Sequence, residues 1–148
     1  MANSLTQEGQ YIALGKLFTG SGANKAVGSV AGIILAGDEL ALFSSATTPA
    51  KDGTGFTLIT GNGGDPKVVG ESNWTASLSG SAPNQNVQVV LADQTWTATA
   101  TISNIAGAYL QDTTTTPDKP LAWWERSSAV SLLTSDQLTA DDLTIRLT

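Results

Sequence analysis

From Thr95 to Ser103 the chain reads Thr-Trp-Thr-Ala-Thr-Ala-Thr-Ile-Ser, with a hydroxyl at every second position. A period of two sends alternate side chains to opposite faces of an extended backbone, whereas a helix would scatter the threonines around its surface. Threonine is stiff at χ1 and packs well on a pleated surface, which adds to the preference for strand. Trp96, Ala98, Ala100 and Ile102 then share a dry face, opposite a row of hydroxyls. The run is expected to be one long antiparallel strand of a β-sandwich, with one face on the core. None of its side chains is chemically reactive.

The same period recurs elsewhere. Val87, Val89 and Leu91 alternate with Gln88 and Val90, and residues 143–148 (LTIRLT) alternate cleanly. A chain ending inside such a pattern is expected to pair its last strand in a sheet. Further strands are expected at 39–43, 56–60, 67–69, 73–78, 105–110 and 121–126, the last continuing through 127–133. Gly61-Asn62-Gly63-Gly64-Asp65-Pro66 between two of them is a turn that needs positive φ at a glycine or the asparagine. Residues 44–55 and 79–86 read as loops, 112–120 (DTTTTPDKP) as a projecting hairpin tip, and 134–142 as an acidic loop. Adjacent Trp123 and Trp124 must face opposite sides of their strand. One fills the core, and the other lies on a surface unless a partner covers it.

Only the N-terminal stretch suggests a helix. Ser4 and Gln7 fit a capping box ahead of Tyr11, Leu14, Leu17 and Phe18 over residues 4–18. A glycine-rich connection follows at 20–32. The organisation expected from 148 residues is therefore one domain, with a helix and arm at 1–32 and a β-sandwich at 33–148.

Much chemistry is excluded by composition. With no histidine and no cysteine, serine triads, histidine- or thiolate-held zinc, cysteine nucleophiles and disulfides are all ruled out. The paired acids Asp38-Glu39 and Asp141-Asp142 are sequence neighbours in turn or loop settings, a poor arrangement for glycoside hydrolysis. Asp136 with Asp141 and Asp142 could hold calcium, but a polar turn explains them as well, and the Gly-Asp cluster at 61–66 is a single copy. Gly20, Gly22 and Gly28 surround Lys25 without the Gly-Lys-Ser/Thr ending of a phosphate loop. No catalytic residue, cofactor or metal is expected, and the chain is not expected to be an enzyme.

The net charge of −6, with seven scattered bases (Lys16, Lys25, Lys51, Lys67, Lys119, Arg126 and Arg146), argues against nucleic-acid and anionic-membrane partners. Charged residues make up 14%, against about 25% in ordinary soluble domains, which suits a surface covered by neighbours in an assembly and equally a threonine-rich all-β domain that is simply soluble. No basic segment leads into an apolar one near the start, so no secretion signal is expected. The Asn73-Trp74-Thr75 glycosylation pattern therefore carries little weight.

Several segments occur in an order similar to that of a family of small tailed-bacteriophage virion proteins. These are Leu17-Phe18-Thr19-Gly20, Leu40-Ala41-Leu42-Phe43, Gly63-Gly64 and Trp96 leading through Ile102-Ser103-Asn104-Ile105-Ala106-Gly107. Leu121-Ala122-Trp123-Trp124 and Asp142-Leu143-Thr144-Ile145-Arg146-Leu147 complete the series. The chain departs from the family pattern in having Asp65-Pro66-Lys67 where a Tyr-Ala-Arg would stand, and in a hairpin tip lengthened over 113–117. The resemblance implies a structural protein of the virion. As a capsid decoration (cement) protein it would form homotrimers on the outer face of the major capsid protein, in virions assembled in the bacterial cytoplasm. Leu17, Phe18, Trp123 and Trp124 would supply the interface, together with backbone pairing along exposed strand edges. The rival expectation is a tail-fibre or tail-tip protein that binds a host surface glycan through exposed tryptophans such as Trp74 and Trp124.

Overall fold

The structure is a computed structural model that describes residues 38–44, 55–79, 86–113 and 119–146. The expected N-terminal helix and arm, with Leu17 and Phe18, lie outside these residues. The described chain is mainly β, with all strand pairs antiparallel. In order, the strands are β1 (Glu39–Ser44), β2 (Lys67–Val68), β3 (Trp74–Ser79), β4 (Asn86–Leu91), β5 (Gln94–Thr97), β6 (Ile102–Asp112), β7 (Lys119–Leu132), β8 (Gln137–Ala140) and β9 (Thr144–Arg146), with a 3-10 turn at Glu71–Asn73. They form a four-stranded sheet ordered β2-β1-β6-β7, a three-stranded sheet β3-β4-β9, and a two-stranded ribbon β5-β8.

The described strands fall in two compact units. The first holds β3, β4 and β9. Trp74 stands opposite Leu91, Ala76 opposite Val89, and Val89 opposite Ile145, so these five share one face. Trp74, Val89 and Leu91 are buried, while Thr75 on the other face is exposed. The expected pairing of the last strand is found: β9 lies on β4, and the Leu91 amide extends the contact by donating to the Leu143 carbonyl at 2.9 Å.

The second unit holds the four-stranded sheet and the ribbon. Its central strands β1 and β6 are apolar on both faces, and Leu40, Ala41, Leu42 and Phe43 are all at most 1% exposed. At its outer edge β1 has two neighbours. β2 pairs with Glu39 and Leu40, while residues 57–59 bond to its other end, with Ser44 N donating to Thr57 O and Ile59 N to Leu42 O. The expected strand at 56–60 is thus reduced to a single bridge, Phe43 to Leu58.

The excursion between those neighbours is the Gly-Asn-Gly-Gly turn. Gly61, Asn62 and Gly63 have φ of 72°, 53° and 85°, and Gly64 N donates to Gly61 O at 2.8 Å. Asn-Gly at the two central positions is what a left-handed two-residue turn demands. Asp65 Oδ1 also accepts from Gly61 N at 2.7 Å and so helps close the turn.

Two expectations are corrected here. The Thr95–Ser103 run is not one strand: β5 ends at Thr97, β6 starts at Ile102, and the two belong to different sheets. Residues 98–101 form a corner held from both sides. Ala98 exchanges backbone bonds with Asp136 and Ser135, and Thr99 N donates to Asn62 O at 2.8 Å. The alternation of burial nonetheless persists across the break, with Trp96, Ala98 and Ile102 buried, Ala100 only half-buried, and Thr95, Thr97, Thr99, Thr101 and Ser103 exposed. The second correction concerns the acidic loop at 134–142, which contains β8. Gln137 pairs with Thr97 and Thr139 with Thr95, and the two threonine hydroxyls lie 2.8 Å apart.

Candidate functional site

Among the described residues, the half-buried aromatic side chains, Phe56, Trp123 and Trp124, gather at the four-stranded sheet. Because Ala41 is opposite Tyr109 and Tyr109 opposite Trp123, these share a face with Phe43, two residues along β1. Phe56, from the segment beside β1, lies over them. Its ring centroid is 4.7 Å from that of Tyr109, 5.4 Å from Phe43 and 5.9 Å from Trp123, with edge contacts to the last two. Gly107 makes the platform possible, since a β-carbon there would overlap the Trp124 carbonyl oxygen and press on the Phe43 ring. Phe43 and Tyr109 are buried; Phe56 and Trp123 are half-buried at the rim.

The predicted split of the two tryptophans is found. Trp123 stands opposite Tyr109 on the platform face, and Trp124 stands opposite Ala108 on the other. Neither is a core residue; both are half-buried. Ala122, facing Leu110, lies on the Trp124 side, and Leu121 beside it is 40% exposed.

β7 is the edge of its sheet and 14 residues long, the kind of strand that invites pairing with another chain. Its pairing with β6 is broken three times. Leu121 is an extra residue between the pairs Gln111–Pro120 and Leu110–Ala122, and Pro120 brings no backbone donor. Residues 126–129 stand opposite Ala106 alone, because Gly107 pairs with Glu125 and Ile105 with Val130. Asn104, with φ of 57°, is the extra residue on β6, and its amide donates to Ser131 Oγ at 3.1 Å. Short regular runs between bulges, with Glu125 and Arg126 exposed among them, discourage strand addition.

The acids are placed structurally. Asp38 is fully buried and its carbonyl accepts from Val69 N at 2.8 Å; Glu39 Oε2 accepts from Gln111 Nε2 at 2.9 Å. Asp136 Oδ2 accepts from Leu133 N at 2.8 Å and closes the turn into β8. Asp141 and Asp142 are exposed, and Asp142, at φ of 52°, offers its carbonyl to Thr144 Oγ1. Among the described residues, no three acids come together in a metal-binding group. Trp74 is only 4% exposed, so stacking on a glycan is closed to it, and Asn73 is half-buried with its carbonyl accepting from Ala92 N. Lys67, counted among scattered bases, places Nζ 5.6 Å from the centroid of the buried Trp96 ring.

The tryptophan pair was legible from adjacency and strand parity. The platform was missed because Phe56 is brought there by hydrogen bonds between segments distant in sequence. Phe43 and Tyr109 carried no signal beyond an apolar strand. Comparison with protein families, curated proteins and solved structures finds no match to this chain.

Proposed function

We propose that this protein is a bacteriophage capsid decoration (cement) protein, a β-sandwich that sits as a homotrimer on the outer face of the major capsid protein and stabilises the shell. The observation that carries this reading is the half-buried pair Trp123 and Trp124 on the edge strand β7, one on each face. Partly exposed aromatic anchors dominate the energy of protein interfaces, where a standard patch covers roughly 800 Å² per partner. The ordered resemblance to small virion proteins and the low charge support the same reading. The sandwich has its own support: burial of four consecutive side chains in β1 requires cover on both faces of that sheet.

Trp123 and Trp124 have separable roles in this reading. Trp123 leans on Phe56 within the chain, whereas Trp124 faces away from that platform. Trp124→Ala is expected to weaken capsid binding by about 2 kcal/mol, roughly thirtyfold in Kd. Trp123→Ala is expected to lower the stability of the free protein by about 2 kcal/mol through lost aromatic contact.

The test is to add purified protein to capsids that lack it, then measure binding and the temperature at which the shells open. Binding that raises this temperature and falls in the Trp124 variant supports the proposal. No binding and no thermal effect would overturn it. Glycan binding lost on Trp124→Ala, without affinity for capsids, would instead assign the protein to a tail fibre or tail tip.

A further inference from the structure

The turn at 61–64 contains the chain's one Asn-Gly dipeptide, Asn62-Gly63. Asn62 is exposed, yet its side-chain amide nitrogen and its main-chain carbonyl are both used on the corner between β5 and β6. Nδ2 donates to Thr101 O at 3.0 Å, and the main-chain carbonyl accepts from Thr99 N at 2.8 Å. Gly63 lies against Thr97, close enough that a β-carbon would overlap its carbonyl oxygen. The residue that fastens the corner is thus also the asparagine least shielded from attack by the next peptide nitrogen, because glycine has no side chain to hinder it.

We propose that Asn62 is a site of spontaneous deamidation, and that its conversion irreversibly loosens the corner on the Asn62 side. The Gly63 nitrogen attacks Cγ of Asn62 and gives its proton to solvent base. The Cγ–Nδ2 bond breaks, and Nδ2 takes a proton from solvent to leave as ammonia. The resulting five-membered succinimide adds one water. Opening at Cγ gives aspartate; opening at the main-chain carbonyl gives isoaspartate, which carries an extra methylene in the backbone. No oxidant or reductant takes part.

Each product undoes a contact. Aspartate puts a second acceptor oxygen where Nδ2 donated to Thr101 O, and an acceptor facing a carbonyl repels it. Isoaspartate lengthens the chain between Asn62 and Gly63 and moves Gly63 from its seat on Thr97. The fold also governs the rate. The bond from Nδ2 to Thr101 O restrains the side chain that must close on the Gly63 nitrogen, so reaction is expected to proceed from the locally opened turn.

The experiment incubates the full chain at mildly alkaline pH, native and in denaturant, and follows each asparagine by peptide mass mapping. Asn62 is expected to convert before the other asparagines. The native rate is expected to be at least about tenfold lower than the denatured rate, equivalent to about 1.4 kcal/mol of local opening. The converted fraction, separated by its added charge, is expected to melt below the unconverted protein, and Asn62→Asp is expected to match the aspartate product. Asn62→Gln, whose longer side chain cannot close the five-membered ring, is expected to stay intact at this peptide. An intact Asn62 after other asparagines have converted would overturn the proposal. So would equal native and denatured rates, or a converted fraction with unchanged melting.

Discussion

Gly63→Ala is expected to lower stability by about 3–5 kcal/mol, a large share of the 5–15 kcal/mol that holds a typical domain together. Two effects add. Gly63 has φ of 85°, where a β-carbon costs about 1–3 kcal/mol in backbone strain. The new methyl would also overlap the Thr97 carbonyl oxygen, a backbone atom that cannot swing aside as a side-chain tip would. Relief requires the turn to lift, giving up the bond from Asn62 Nδ2 to Thr101 O and that from Thr99 N to Asn62 O, each worth roughly 1 kcal/mol. For a chain of this length the melting temperature should fall by about 10–15 °C. Gly61→Ala is the internal control. Its φ of 72° is similarly unfavourable to alanine, but an added β-carbon meets nothing within 4 Å, so about 1 kcal/mol is expected. Thermal or urea unfolding of the two variants checks this. Equal losses would mean that contact with Thr97 contributes nothing.

That contact also explains why the opening threonine run was only half legible. Its burial pattern could be read residue by residue, because the period of two is a local property of extended backbone. The break at 98–101 could not, because the run contains neither glycine nor proline to announce it. It is imposed by Asn62 from one side and by Ser135 and Asp136 from the other, all more than thirty positions away in sequence. β8 was hidden for a related reason. Gln-Leu-Thr-Ala among aspartates has weak strand propensity alone, and becomes a strand by pairing with Thr95 and Thr97. The Gly-Asn-Gly-Gly turn, by contrast, was readable in detail, since few residue types tolerate positive φ. At the candidate interface, adjacency alone told that Trp123 and Trp124 face apart. The bulges that divide β7 depend on its register with β6, which no local pattern in β7 specifies.

Trp96→Ala is expected to cost about 3–5 kcal/mol, the range for removing a large buried aromatic side chain. The indole is 1% exposed, donates from Nε1 to Asp65 O at 2.9 Å, and has Lys67 Nζ 5.6 Å from its ring centroid. Trp96→Phe separates these contributions. It keeps most of the apolar volume but deletes the donor, and is expected to lose about 1–2 kcal/mol. Asp65 is the link to the turn: its carbonyl receives the indole while its carboxylate receives Gly61 N at 2.7 Å. Removing the indole should therefore loosen the same turn that Gly63→Ala displaces. The double variant is expected to lose less than the sum of the single losses, with a coupling of about 1–2 kcal/mol. Strict additivity in urea unfolding would refute the idea of one cooperative clamp. Trp96 and Gly63 would then be two independent supports of the corner, and release of Asn62 would leave the Trp96 side intact.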